Sequence, residues 1–145
     1  MSGQIAAVSG LTFIPVPPPE PGHAVQVAPG VHWLRMPLPV SLNHINLWAL
    51  KDGDGWTLVD TGMQTTETSA AWHELFSGPT VGRPVKRVIC THMHPDHIGM
   101  AGWLTRRINC QLWTTRLEYL TCRVLVADTG REAPVDATRF YHAAG

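Results

Sequence analysis

From Ala24 onward the apolar residues of this chain fall in short runs separated by turn signals, the arrangement of β-structure. Residues 24–28 and 31–36 flank Pro29-Gly30, a turn dipeptide. Two further runs, 45–50 and 56–59, are separated by Asp52-Gly53-Asp54-Gly55, which predicts a hairpin. The pattern then changes period. Residues 65–76 carry apolar or small side chains at Ala70, Ala71, Trp72, Leu75 and Phe76, which predicts an amphipathic helix closed by Gly78-Pro79. A short strand over 85–90 follows, then a helix over 98–107, a strand over 111–113, a helix over 116–127 and a last helical turn or two near 137–143. The order is a β-meander followed by βα units, without an internal repeat. It predicts an α/β (α+β) layered architecture, a sheet with helices on one face.

Ahead of this domain, residues 1–23 read as a flexible proline-rich arm, because PVPPPEPG (15–22) suits neither a helix nor an inner strand. The 145 residues are enough for one domain with a real core. Eleven basic side chains balance eleven acidic ones, and no Lys/Arg run is present. That argues against a nucleic-acid partner and for a small-molecule substrate. No stretch reaches the roughly 18 apolar residues of a membrane span, and the N-terminus lacks the pattern of a signal peptide. Three cysteines, Cys90, Cys110 and Cys122, form no CxxC pair and are odd in number, which points to the reducing cytoplasm.

The chemistry concentrates in CTHMHPDHIGM (90–100), where three of the eight histidines and one aspartate share six consecutive positions. His92 and His94 are two apart just beyond a predicted strand. In extended backbone such side chains point the same way, so both imidazoles can converge on one metal ion. Pro95 keeps the residue before it out of the helical region. Asp96 and His97 then open a helix, face another direction and can serve a second metal. Imidazole and carboxylate suit zinc, iron or manganese. Two ions about 3.5–4 Å apart can activate a water and clamp an oxyanion.

THMHPDH resembles the H-x-H-x-D-H signature of the metallo-β-lactamase superfamily. LVDTG (58–62) is similar to that family's second motif, an aspartate at a strand end, and LNHINLWAL with Asn46 to its early strand. The resemblance, running from about residue 24 to 115, implies an αββα sandwich and a hydrolase, with the glyoxalase II-like hydrolases of thioesters and lactones nearest in flavour. It implies His92 and His94 on a first metal, Asp96 and His97 on a second, zinc as the usual ion, and Asp60 accepting a hydrogen bond that orients a ligand or the bound water. The expected reaction is attack of a metal-bound hydroxide on an ester, thioester, lactone or amide.

Family members also need a third histidine, a bridging aspartate and a further histidine downstream. After His97 the chain has a single histidine, His142, in a segment that reads as helix. Asp128 and Asp136 flank a Thr-Gly turn without the expected strand before either. The chain therefore reads as the N-terminal half of such a sandwich, 24–145 being a partial domain without its C-terminal half. A half sandwich leaves one sheet face bare, inviting self-association. Two alternatives follow: a non-catalytic truncated fragment with partial metal binding, or a mononuclear-iron, sulfur-oxidising relative.

Overall fold

The computed structural model describes residues 7–8, 11–12, 16–78, 84–128, 139 and 142–143. Near the N-terminus β1 (Ala7–Val8) and β2 (Leu11–Thr12) pair with each other antiparallel. The domain itself is one six-stranded sheet in sequential order: β3 (Ala24–Ala28), β4 (Val31–Pro37), β5 (His44–Asp52), β6 (Gly55–Val59), β7 (Val85–Ile89) and β8 (Gln111–Trp113). The first four strands form the predicted antiparallel meander, and β6, β7 and β8 run parallel. This is a mixed α/β fold, as the pattern of the sequence requires.

Local chemistry explains the turns. Asp52 pairs with Gly55, so the β5–β6 hairpin has a two-residue loop, and Gly53 occupies its first position at φ 61°. That is the backbone twist a tight hairpin needs and one that a Cβ resists. Helix α1 (Thr66–Ser77) begins where the Thr65 hydroxyl accepts from the Thr68 N–H at 3.1 Å.

The predicted helix over 98–107 is a misreading of two elements, α2 (Pro95–Ile98) and α3 (Ala101–Ile108). Pro95 starts the helical backbone three residues early, at a position where its missing N–H is no loss. The break comes at Met100, whose N–H lies 3.1 Å from both the Gly62 carbonyl and the Thr61 hydroxyl. Diverted there, it continues no helical ladder. Helix α4 (Arg116–Asp128) closes the described fold, and none of residues 116–127 is buried. The helical turns expected near 137–143 fall largely outside the described residues; 139, 142 and 143 are helical.

Among the described residues the core lies on one face of the sheet. Leu34, Met36, Leu47, Leu58 and Val88 from the strands meet Trp72 and Leu75 of α1 and Ala101 and Leu104 of α3, all essentially sealed from solvent. Burying side chains of this size contributes about 1.5–3 kcal/mol each. Because β6 and β7 are parallel, their C-terminal ends emerge at one edge, and the loops that follow them meet there. Among the described residues no helix is long and apolar enough to cross a membrane.

Candidate metal centre

The loop after β6 is buried: Asp60 is 6% exposed and Thr61 fully enclosed. Asp60 takes φ 63°, a left-handed conformation that Asp tolerates better than most residues, and Gly62 takes φ 84°. These two kinks fold the chain back under the loop after β7. The Thr61 N–H and hydroxyl both donate to the His97 carbonyl, at 2.8 and 2.7 Å, while its carbonyl accepts from the Trp72 indole at 2.8 Å. Gly99 permits the contact from the other side. A Cβ there would stand 2.8 Å from the Gln64 nitrogen and 2.9 Å from the Gly62 carbonyl. The core helix α1, the Asp60 loop and the histidine loop are thus one hydrogen-bonded body.

Asp60 organises the imidazoles. Its Oδ1 accepts from the Thr91 N–H at 2.8 Å, and its Oδ2 lies 2.8 Å from both the Thr91 hydroxyl and His97 Nδ1. A carboxylate only accepts, so the His97 proton sits on Nδ1 and its Nε2 keeps a lone pair. The Thr91 hydroxyl has spent its proton on Asp60, so it accepts from His92 Nδ1, 3.0 Å away. His92 therefore also presents an unprotonated Nε2. One buried aspartate, directly and through Thr91, sets the tautomer of two histidines, leaving His92 Nε2 toward His94 and His97 Nε2 toward Asp96.

His92 Nε2 accepts from His94 Nδ1, 2.9 Å away. Two nitrogens sharing a tetrahedral zinc at about 2.0–2.1 Å stand roughly 3.3 Å apart, so this pair would reach ligand spacing by a small ring rotation once His94 Nδ1 gives up its proton. His97 packs on His92 with ring centres 3.9 Å apart, and its Nε2 lies 3.4 Å from Asp96 Oδ2. The donor set of three imidazoles and a carboxylate suits a divalent ion of the zinc type. The structure brings together His92, His94, Asp96, His97 and Asp60. Among the described residues, no group of three or more His, Cys, Asp or Glu side chains is arranged to hold an ion. His142 is exposed, and Asp128 ends α4.

Cys90 does not join the donors. Burial, followed by the nearby charges of Asp60 and Cys122, pushes its thiol up to about 12, and its sulfur lies 3.9 Å from the His97 carbonyl. It is a packed strand-end residue. Two partners escaped sequence reasoning. Thr91 adjoins the motif, so its position was a usable signal. Glu118, on α4, accepts from the Met93 N–H at 2.8 Å between the two leading histidines; nothing local in the sequence marks it.

With a parallel-strand edge, a buried aspartate and this histidine loop in place, the family follows. Residues 40–140 match the metallo-beta-lactamase superfamily, and the chain belongs to it. It is 32% identical over 68 residues to the probable metallo-hydrolase YqjP of Bacillus subtilis and 36% identical over 63 residues to that organism's probable metallo-hydrolase YybB. Those matches cover 46% and 43% of this chain, but 21% and 26% of the relatives. A beta-lactamase domain protein from Burkholderia ambifaria superposes with a TM-score of 0.72 at 45% identity, over 78% of this chain and 38% of that one. The metallo-β-lactamase FIM-1 from Pseudomonas aeruginosa, solved in a mono-zinc form, shares the fold with a TM-score of 0.54 at 20% identity, over 70% of this chain and 45% of that one. The chain spans less than half the length of each of these relatives.

Proposed function

We propose that this chain carries the metal-binding half of a metal-dependent hydrolase acting on an ester, thioester, lactone or amide. The observation behind this reading is the Asp60 network, which leaves the Nε2 lone pairs of His92 and His97 toward His94 Nδ1 and Asp96. Neutral side chains packed for structure alone have no need of two such set tautomers. His92 and His94 would hold one ion, and Asp96 and His97 a second, with zinc preferred for the mixture of nitrogen and oxygen donors. When bound, such an ion supplies Lewis acidity toward a carbonyl oxygen and lowers the pKa of a water. The chain's own part is to keep Nε2 of both histidines unprotonated and to hold the His97 ring against Asp60. The partly buried carboxylate of Asp96, 3.4 Å from His97 Nε2, would also be able to take a proton from an attacking water.

The test is titration of the chelator-stripped chain with zinc against a competing dye, alongside hydrolysis of a thioester and a lactone. Saturable binding that His92→Ala weakens by at least about tenfold is expected. A chain indifferent to zinc would sink the reading.

A second reading has its own support: among the described residues no three donors are arranged to hold an ion. On that reading the chain binds an ion without turnover. Zinc binding with no hydrolysis of either substrate would select it.

A further inference from the structure

On the helix side of the sheet, the first two turns of α1 and the first turn of α3 line an open cavity of about 590 Å³. Gln64, Thr66 and Ser69 bring an amide and two hydroxyls to it, and Trp103 brings an indole. His73 meets Trp103 in a T-shaped contact, ring centres 5.3 Å apart. None of His92, His94, Asp96 and His97 lines this cavity.

Arg107 flanks it. The guanidinium lies 5.2 Å from the centre of the Trp103 ring, and its Nη2 stands 3.1 Å from His73 Nδ1. A guanidinium only donates, so His73 Nδ1 accepts and its proton sits on Nε2. Arg87 offers a comparison within the same chain. It too lies over a tryptophan, 4.4 Å from the Trp113 ring centre, but its charge is met by Asp52 at 3.1 Å. Arg107 has the tryptophan and an imidazole and, among the described residues, no carboxylate.

We propose that this cavity binds a small aromatic carboxylate, the carboxylate on Arg107 and the ring along Trp103. Charge selects the anion. Neither Asp nor Glu lines the cavity, and the charged group beside it is a cation. Arg107 spends one of its five donors on His73, and its planar fork can still give a carboxylate two parallel bonds. Surface selects the ring. Ala70, Met100 and Trp103 are apolar, a wall that a bare inorganic anion would leave unused. The amide and hydroxyls opposite can bond a polar group on the ring's far edge. A volume of this order is that of ordinary small-molecule sites. The cavity also backs onto the histidine loop, since the Met100 N–H lies 3.1 Å from the Gly62 carbonyl and the Thr61 hydroxyl. It borrows no side chain from the histidines, so the proposal is independent of whether they hold a metal.

The test is titration of the full, chelator-stripped chain with 2-naphthoate, followed by amide and indole NMR resonances. Stripping keeps the carboxylate from being captured by an ion. Saturable shifts at the Trp103 indole and the Gln64 and Met100 amides are expected, with a dissociation constant of about 1 mM or tighter. The uncharged 2-naphthamide and the cationic 2-naphthylmethylamine should each bind about tenfold more weakly or worse. Arg107→Gln, at an exposed position, should bring naphthoate down to the level of the amide, and Arg107→Lys should recover part of the difference. Ala70→Phe, also exposed, should fill the cavity and abolish binding while circular dichroism stays that of the folded chain. Equal affinity for the three compounds would mean a merely greasy surface and would overturn the proposal. So would no saturable shift up to about 20 mM, shifts centred on His92 and His94, or binding indifferent to both Arg107→Gln and Ala70→Phe.

Discussion

The two ends of the histidine motif are built differently. His97 is locked: its Nδ1 donates to a buried carboxylate at 2.8 Å, and its carbonyl takes two bonds from Thr61. His92 and His94 are only aimed. Their rings touch each other, one is steadied by the Thr91 hydroxyl, and they stand toward solvent at the mouth of the loop. The C-terminal end of the motif is therefore part of the folded core, whereas the N-terminal end is a pair of rings held by each other and by one hydroxyl. An error at the first end should reach the fold; an error at the second should reach only the ligand.

The largest effect should come from Asp60, which both ends share. Asp60→Ala strips acceptors from the Thr91 N–H, the Thr91 hydroxyl and His97 Nδ1, and leaves alanine in a left-handed conformation. Each buried donor left unpaired costs about 1–3 kcal/mol, so urea melts should show several kcal/mol lost. Asp60→Asn separates fold from tautomer. The amide keeps one acceptor for Thr91 and tolerates the backbone, but can turn an N–H₂ toward His97 Nδ1. His97 must then move its proton to Nε2, where a metal would bind. Near-native melting with zinc affinity reduced by about 10–100-fold is expected. Equal loss of both in Asn and Ala would mean that Asp60 serves packing alone.

The next contrast sets His97→Ala against His92→Ala. The first removes a ring packed on His92 and unpairs one side of a buried carboxylate. It should destabilise the metal-free chain by about 1–3 kcal/mol. The second removes a side chain at the rim and should change stability by less than about 0.5 kcal/mol. Both should weaken zinc. Identical melting curves for the two variants would erase the distinction between the ends.

Much of this was legible in the sequence, for reasons that differ by residue. The His92–His97 spacing, the Pro95 turn and the DGDG hairpin are local, so period and turn chemistry reveal them. The Asp60–His97 contact spans 37 positions, and only the family resemblance led to Asp60. The split between α2 and α3 was missed because it is imposed from outside the segment. Met100 gives its N–H to a loop that lies some 40 residues earlier, and no helical periodicity in 98–107 carries that information. The single-face core was foreseeable from the order of elements.

The smallest effect, and the finest probe of the comparison, lies at Glu118. It reaches the aimed half from outside the loop, accepting from the Met93 N–H between His92 and His94. It comes from a helix whose residues 116–127 are all at least partly exposed. Glu118→Ala should cost about 1 kcal/mol of stability, the net worth of one such bond. Its larger consequence is at the loop, where the peptide joining the two donors loses its anchor and zinc should bind about tenfold more weakly. Glu118→Gln keeps an acceptor oxygen in place and should recover most of that loss. The Met93 amide resonance reports the bond directly, moving upfield in Ala and staying near its native position in Gln. If Ala shifts that resonance but leaves zinc affinity untouched, the aimed half needs no bracing from α4, and Thr91 alone keeps His92 in line.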